Sequence, residues 1–302
     1  MIKGLASITK GIVEKPYRIC LYGQPGVGKS TFAAGAPNPV FLCGEDGTAN
    51  LDIARFPKPE SWQDVIDSVR SLIEEAHEYK TLVIDTLDAI EPLCWALVAG
   101  KAKKVSIDEI GYGKGHNAAL DEWRLLISSI ERLWLMKKMN IIMVAHSVVK
   151  PFKNPEAEDY DRYELKLHNK ASGFIREWCD CVLFARHESF VSKDNDNKRA
   201  KGISSGDRII HTQFTAAFDA KNRYGLPVKL PLDFNAFHVA VQASNGVEKI
   251  RESILKNLDT LADSDITAKV NGLIEKNPSV HELVKINNRL LQKLEEKGAA
   301  NA

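Results

Sequence analysis

Between residues 17 and 246, short β-branched runs alternate with stretches in which apolar residues recur at helical spacing. Arg18–Tyr22, Val40–Cys43, Thr81–Asp85, Ile141–His146 and Cys181–Ala185 predict strands. Trp62, Val65, Ile66, Val69, Leu72, Ile73 and Ala76 behind the N-cap candidate Ser61 predict a helix, and Leu120, Trp123, Ile127, Ile130 and Trp134 predict another. This alternation predicts an α/β chain with a mainly parallel sheet covered by helices. Tryptophans at that spacing read as core, not as base-stacking platforms. After Arg186, Arg208–Gln213, Thr215–Ala220 and Val228–Leu232 predict further strands joined by turns, an antiparallel extension of the sheet. From Gly246 aromatic residues vanish and a Leu/Ile/Lys/Glu-rich text, broken near Ser264 and Asn277-Pro278, predicts about three helices. The expected organisation is a globular domain over residues 1–245 and a helical appendage or oligomerisation element over 246–302.

Composition narrows the class. Of 302 residues 44% are hydrophobic and 27% charged, too apolar for a disordered chain. The 41 basic and 40 acidic residues leave +1, so a polyanion would have to be held by a local patch and not by a global field. Apolar runs such as Ile141–Ala145 are far shorter than a membrane span, and Met1-Ile2-Lys3-Gly4-Leu5 does not read as a secretory signal. No membrane association and a cytoplasmic location are expected. The five cysteines, Cys20, Cys43, Cys94, Cys179 and Cys181, are odd in number and three sit in apolar strand-like runs, which fits a reducing compartment.

The strongest chemical signal is Gly23-Gln24-Pro25-Gly26-Val27-Gly28-Lys29-Ser30, followed by Thr31. It matches G-x-x-x-x-G-K-[ST] in full, between a strand and a helical segment, as a phosphate-cradling loop requires. Backbone N–H groups and the helix start would face phosphate oxygens, Lys29 would reach the β- and γ-phosphates, and Ser30 would ligate Mg²⁺. The second Mg²⁺ group expected is Asp85, which ends the buried run Thr81–Asp85; residue 86 is Thr, so no acidic pair stands there. Glu45, just past the second strand, is the candidate general base, and His146, at the end of the Ile141 run, the candidate γ-phosphate sensor. The expected ligands are ATP and Mg²⁺.

These elements, in this order, resemble the RecA-type recombinase core. Ala220-Lys221-Asn222-Arg223-Tyr224-Gly225-Leu226-Pro227 looks like the late strand from which such ATPases present basic residues to a neighbouring subunit's nucleotide. The resemblance implies that Lys221 and Arg223 act in trans in a homo-oligomer. More specifically, the chain is similar to phage and prophage nucleotide-binding proteins of the AAA-domain class, which include RecA-like single-strand annealing proteins. Lys15-Pro16-Tyr17-Arg18, Asp161-Arg162-Tyr163-Glu164 and Glu177-Trp178-Cys179-Asp180 read in that family's style. The resemblance covers residues 15–243 and leaves the helical tail without a role.

In RecA-like proteins two loops meet single-stranded DNA. The matching segments here are Gly100–His116, with Lys101, Lys103, Lys104 and Lys114 against Asp108 and Glu109 and with Tyr112 between glycines, and Val148–Ala171, with five basic and five acidic residues around Phe152, Tyr160 and Tyr163. The expected activity is ATP-dependent binding of single-stranded DNA that promotes annealing or recombination. The alternatives are a P-loop kinase acting on a small acceptor and a nucleotide-binding regulatory protein with little turnover.

Overall fold

The apolar runs form the predicted strands, and several extend further. In the computed structural model, which describes residues 4–5, 8, 15–155, 157–193, 200–275, 278 and 280–300, one compact unit is Lys15–His238 and a second contains the chain from Val239 onward. Along the first run β1 (Arg18–Gly23), α1 (Lys29–Ala34), β2 (Pro39–Cys43), β3 (Ala54–Arg55), α2 (Trp62–Glu74), β4 (Thr81–Asp85), α3 (Leu87–Lys101), α4 (Lys114–Met136), β5 (Asn140–Phe152), β6 (Tyr160–Leu165), α5 (Asn169–Trp178), β7 (Cys181–Lys193), β8 (Ala200–His211), β9 (Lys221–Asn222) and β10 (Lys229–Pro231).

The sheet order is β10-β8-β7-β1-β5-β4-β2-β3, with β6 on β5 and β9 on β7. Strands β7, β1, β5, β4, β2 and β3 are mutually parallel, whereas β8 and β10 add antiparallel at one edge. The fold is therefore α/β with a mainly parallel sheet and an antiparallel extension. Register then decides where chemistry can gather: Gly23 stands opposite His146, and Cys43 opposite Asp85. The carboxyl ends of β1, β2 and β4 thus share one edge with His146, midway along β5. Every residue of β4 is buried, as expected for a strand covered on both faces.

Local chemistry fixes the covering helices. The Ser61 hydroxyl accepts the Asp64 N–H, and the Asp64 carboxylate accepts the Ser61 N–H, a capping box that starts α2. Its Trp62 meets Trp123 of α4 edge-to-face at 5.1 Å, both buried. The tryptophans are core, as their spacing predicts. All five cysteines are buried and unbridged. Burial pushes the Cys94 and Cys179 thiols up to about 12, which keeps them inert.

Three expectations change. The expected loop Val148–Ala171 is largely an antiparallel hairpin of β5 and β6, with Val149 opposite Tyr163, leading into α5. Thr215–Ala220 forms no strand, only bridges from Phe218 to Thr215 and Tyr163. Phe218 instead stacks on Phe184 at 4.8 Å and His211 at 4.5 Å, so aromatic packing holds a segment that ladder bonds do not. The helical tail starts earlier than Gly246, because α6 (Phe234–Leu261) runs unbroken through that position. Helices α7 (Ser264–Ile274) and α8 (Val280–Ala300) follow, the break near Ser264 being held by Asp263 accepting the Asp265 and Ile266 N–H groups. The break expected at Asn277 lies outside the described residues, as do Met1 to Lys3. The second unit has its own core of Ile254, Leu258, Leu261, Val270, Leu283 and Leu290. Among the described residues no helix is long and apolar enough to cross a membrane.

Candidate functional site

The glycine-rich loop turns at the carboxyl end of β1. Gly26 and Gly28 have φ of +75° and +107°, where a Cβ is strained, so both positions demand glycine. Helix α1 is only six residues long, which leaves the loop amides as the principal backbone donors. Lys29 is buried, its Nζ donating to the carbonyls of Gly23 at 3.1 Å and Gln24 at 2.9 Å. Burial pulls its pKa down, while Asp85, Asp88 and Glu45 oppose that shift. Ser30 and Thr31 follow at the mouth.

One cavity of about 400 Å³ opens over this loop. Pro25, Gly26, Gly28, Lys29, Ser30, Thr31, Glu45, Asp85 and His146 all line it. Gly23 and Gln24 contribute the carbonyls that hold Lys29, and Val27 is buried beneath the loop. Asp85 is 4% exposed, and its Oδ2 has no hydrogen-bond partner among the described residues. Burial raises its pKa, opposed first by a hydrogen bond with Ser30 and further by Lys29. An unpaired, buried carboxylate oxygen beside a serine hydroxyl is a donor pair suited to Mg²⁺, so the residues present fit that ion.

The neighbouring strand ends form a second layer. The Thr86 hydroxyl donates to Glu45 Oε1 at 2.6 Å, and Glu45 is half exposed toward the cavity. Asp88, in the first turn of α3, accepts the His146 backbone N–H at 2.8 Å and the Nδ1 proton at 2.9 Å. A carboxylate only accepts, so Nδ1 carries the proton of this contact. Glu45 lies 3.7 Å from the same Nδ1.

Lys221 and Arg223 lie away from this cavity. Lys221 Nζ donates to the carbonyls of Arg176, Glu177 and Cys179, satisfying the end of α5. Only Lys221 and Asn222 are in β9, so Arg223 lies just past the strand that the resemblance implies. Arg223 is 57% exposed and lies 3.2 Å from Asp180, which Arg18 already holds bidentately at 2.8 Å. Arg18 itself is set between the rings of Trp134 and Trp178. The Lys15–Arg18 and Glu177–Asp180 phrases therefore have a structural account: they tie β1 to the start of β7. In the Asp161–Glu164 phrase, Arg162 is buried against Glu164, Asp219 and the ring of Phe152.

Asp88, Thr86 and Arg208 belong to the site but were not among the candidates from sequence. Asp88 has a local signal, an acid in the first helical turn after the Asp85 strand. Arg208, on β8, has none, because its place depends on the register of a strand far along the chain.

One turn beyond Asp88, Glu91 is buried, both carboxylate oxygens accepting the His168 N–H. Burial pushes its pKa up to about 7, with Asp88 adding and the His168 N–H and Lys150 opposing. An acid whose pKa is raised in the folded state binds more protons folded than unfolded between about pH 4.5 and 7, so stability falls as pH rises through that window. The full penalty, roughly 3 kcal/mol at most, remains above it. Glu91→Gln is therefore expected to gain stability over the parent as pH rises from 4.5 to 8, read from paired unfolding curves. A difference independent of pH would refute the assignment.

No curated protein sequence matches the chain. Among solved structures, it is similar to the RadB recombinase at 11% identity and a TM-score of 0.37, covering 65% of this chain and 80% of that one. The model of the AAA domain family matches residues 15–224, more than half of the 302 residues, and the chain belongs to that family of P-loop nucleotide-binding proteins.

Proposed function

We propose that the chain is an ATPase of RecA-like mechanism that works as an oligomer on single-stranded DNA, promoting annealing or recombination. The observation that carries the ATPase part is the convergence of Lys29, Ser30, Asp85 and Glu45 on one cavity at the carboxyl edge of a parallel sheet. In this reading Lys29 and the loop amides hold the phosphates, and Ser30 and Asp85 would hold Mg²⁺, which when bound neutralises phosphate charge. Glu45 orients and deprotonates the attacking water. His146, fixed by Asp88, senses the phosphate. Phage origin belongs to the same proposal, and so does a division between a catalytic domain ending near residue 245 and a helical tail that serves assembly.

The DNA part is supported by the segment between α3 and α4. Tyr112 is fully exposed at φ +57°, and Lys103 and Lys104 of the same segment are exposed. Lys101 is engaged by Glu122. Exposed cations with one free ring suit a single strand, whose phosphates and bases they can meet together. The hairpin of β5 and β6 offers less, since Tyr163 is stacked on Phe184 and Arg162 is buried. The deciding experiment is ATP hydrolysis with and without single-stranded DNA. Stimulation supports the proposal, phosphate transfer to a nucleoside or nucleotide supports a kinase, and indifference to both supports a regulatory role.

Glu45→Gln tests the base directly. The amide oxygen still accepts the Thr86 hydroxyl, so the fold and nucleotide binding are expected to survive, while hydrolysis falls by roughly 10² or more. Turnover at the parent rate would return Glu45 to an ordinary loop residue.

A further inference from the structure

Arg208 enters the nucleotide cavity from the same chain. Its guanidinium stands directly over the phosphate loop: a Cβ placed on Gly28 would lie 2.7 Å from Arg208 Nη1. The side chain also lines the cavity together with Lys29 and Ser30. It has neither an ion-pair nor a hydrogen-bond partner among the described residues, whereas the other cation of the cavity, Lys29, spends its protons on two carbonyls.

An arginine is always charged and carries five N–H donors in a planar fork. Left without a carboxylate on a surface it is unremarkable, but placed against a phosphate-cradling loop it supplies a fork matched to phosphate oxygens. The acids of the site do not quench it. Asp85 is hydrogen-bonded with Ser30, its free Oδ2 being the oxygen read above as a Mg²⁺ donor, Asp88 is taken up with His146, and the carboxylate of Glu45 receives Thr86.

Its mounting also suits a positioned contact. Arg208 pairs with His187 of β7 across the ladder, and its carbonyl accepts the Leu232 N–H beside β10. The strand that carries it is thus held on both sides, so little ordering remains to be done when an anion arrives.

We propose that Arg208 is a phosphate-binding arginine supplied in cis, closing over the polyphosphate from β8 opposite the loop that carries Lys29. The proposal rests on reading the cavity as a nucleoside triphosphate site. It differs from the trans role of Arg223, because it needs no second subunit. It also predicts that the antiparallel edge of the sheet responds to nucleotide, since β8 then has an end in the phosphate site.

The test is calorimetric titration of ATP and ADP with Mg²⁺ into the full chain, its Arg208→Ala and Arg208→Lys variants, and Lys29→Ala. Because the side chain has no partner, unliganded Arg208→Ala is expected to melt with the parent. Its affinity for ATP and ADP is expected to fall about 10- to 100-fold, with Arg208→Lys recovering part of the loss as a charge without the fork. If Lys29→Ala loses binding while Arg208→Ala binds both nucleotides as the parent does, the cis role is wrong and the phosphate site stands. Should Lys29→Ala bind as tightly as the parent, the phosphate site itself is wrong and the role of Arg208 falls with it. Arg208→Lys keeps the question answerable if the alanine variant does not fold, since parent-like affinity with only the fork removed also overturns a bidentate contact.

Discussion

Lys29→Ala is expected to abolish ATP turnover, lowering it by roughly 10² to 10³ or more, while leaving the chain folded. Lys29 is the buried cation of the cavity, held by the Gly23 and Gln24 carbonyls at the root of the loop. Truncation removes those two hydrogen bonds, at about 1 kcal/mol each, and relieves the burial of a charge. The net effect on stability is therefore small beside the effect on phosphate binding. Two readouts separate the causes: the unliganded melting temperature should stay near the parent's, and the stabilisation that ATP gives the parent should vanish. A folded variant that hydrolyses ATP at the parent rate would sink the assignment of the loop.

How much of this site is legible in the sequence follows from how local each signal is. The loop and Asp85 are contiguous patterns, each a few residues long and each attached to a strand that apolar spacing already marks. Glu45 is legible just past a strand and His146 at the end of the Ile141 run, although β5 continues to Phe152, but the link between them is not. It runs through Asp88 and Thr86, and depends on the first turn of α3 bringing Asp88 to the His146 N–H and ring midway along β5. Arg208 lies 180 positions beyond Gly28, and only the pairing of β8 with β7 brings it to the loop.

The fold shows the same division. The hairpin of β5 and β6 is hidden by Pro151 and by balanced charge, which read as a loop. The segment around Phe218 reads as a strand because aromatics and threonines favour strands, yet tertiary stacking claims its rings without a ladder. The tail's composition changes at Gly246, whereas α6 begins at Phe234, still inside the Lys15–His238 unit, where Phe234 and Phe237 pack on Phe32 and Tyr17.

Arg223→Ala is expected to lose ATPase by about 10³ or more while retaining nucleotide binding, if Arg223 completes a neighbouring subunit's site. The competing account is a surface ion pair with Asp180, which contributes ~0 to 1 kcal/mol. Asp180 needs no second cation, since Arg18 already binds both its oxygens. Loss of Arg223 therefore leaves the junction of β1 and β7 intact, and the magnitudes keep the two accounts apart. Lys221 cannot serve as cleanly, because its removal would orphan three carbonyls at the end of α5 and lower stability whatever its role in turnover. The test accordingly uses Arg223 and a mixing experiment. Combined with Lys29→Ala protein, Arg223→Ala protein should regain activity at interfaces that pair one intact phosphate loop with one intact arginine. If the mixture stays inactive although mixed oligomers form, or if Arg223→Ala alone is fully active, the arginine acts within its own subunit or not at all.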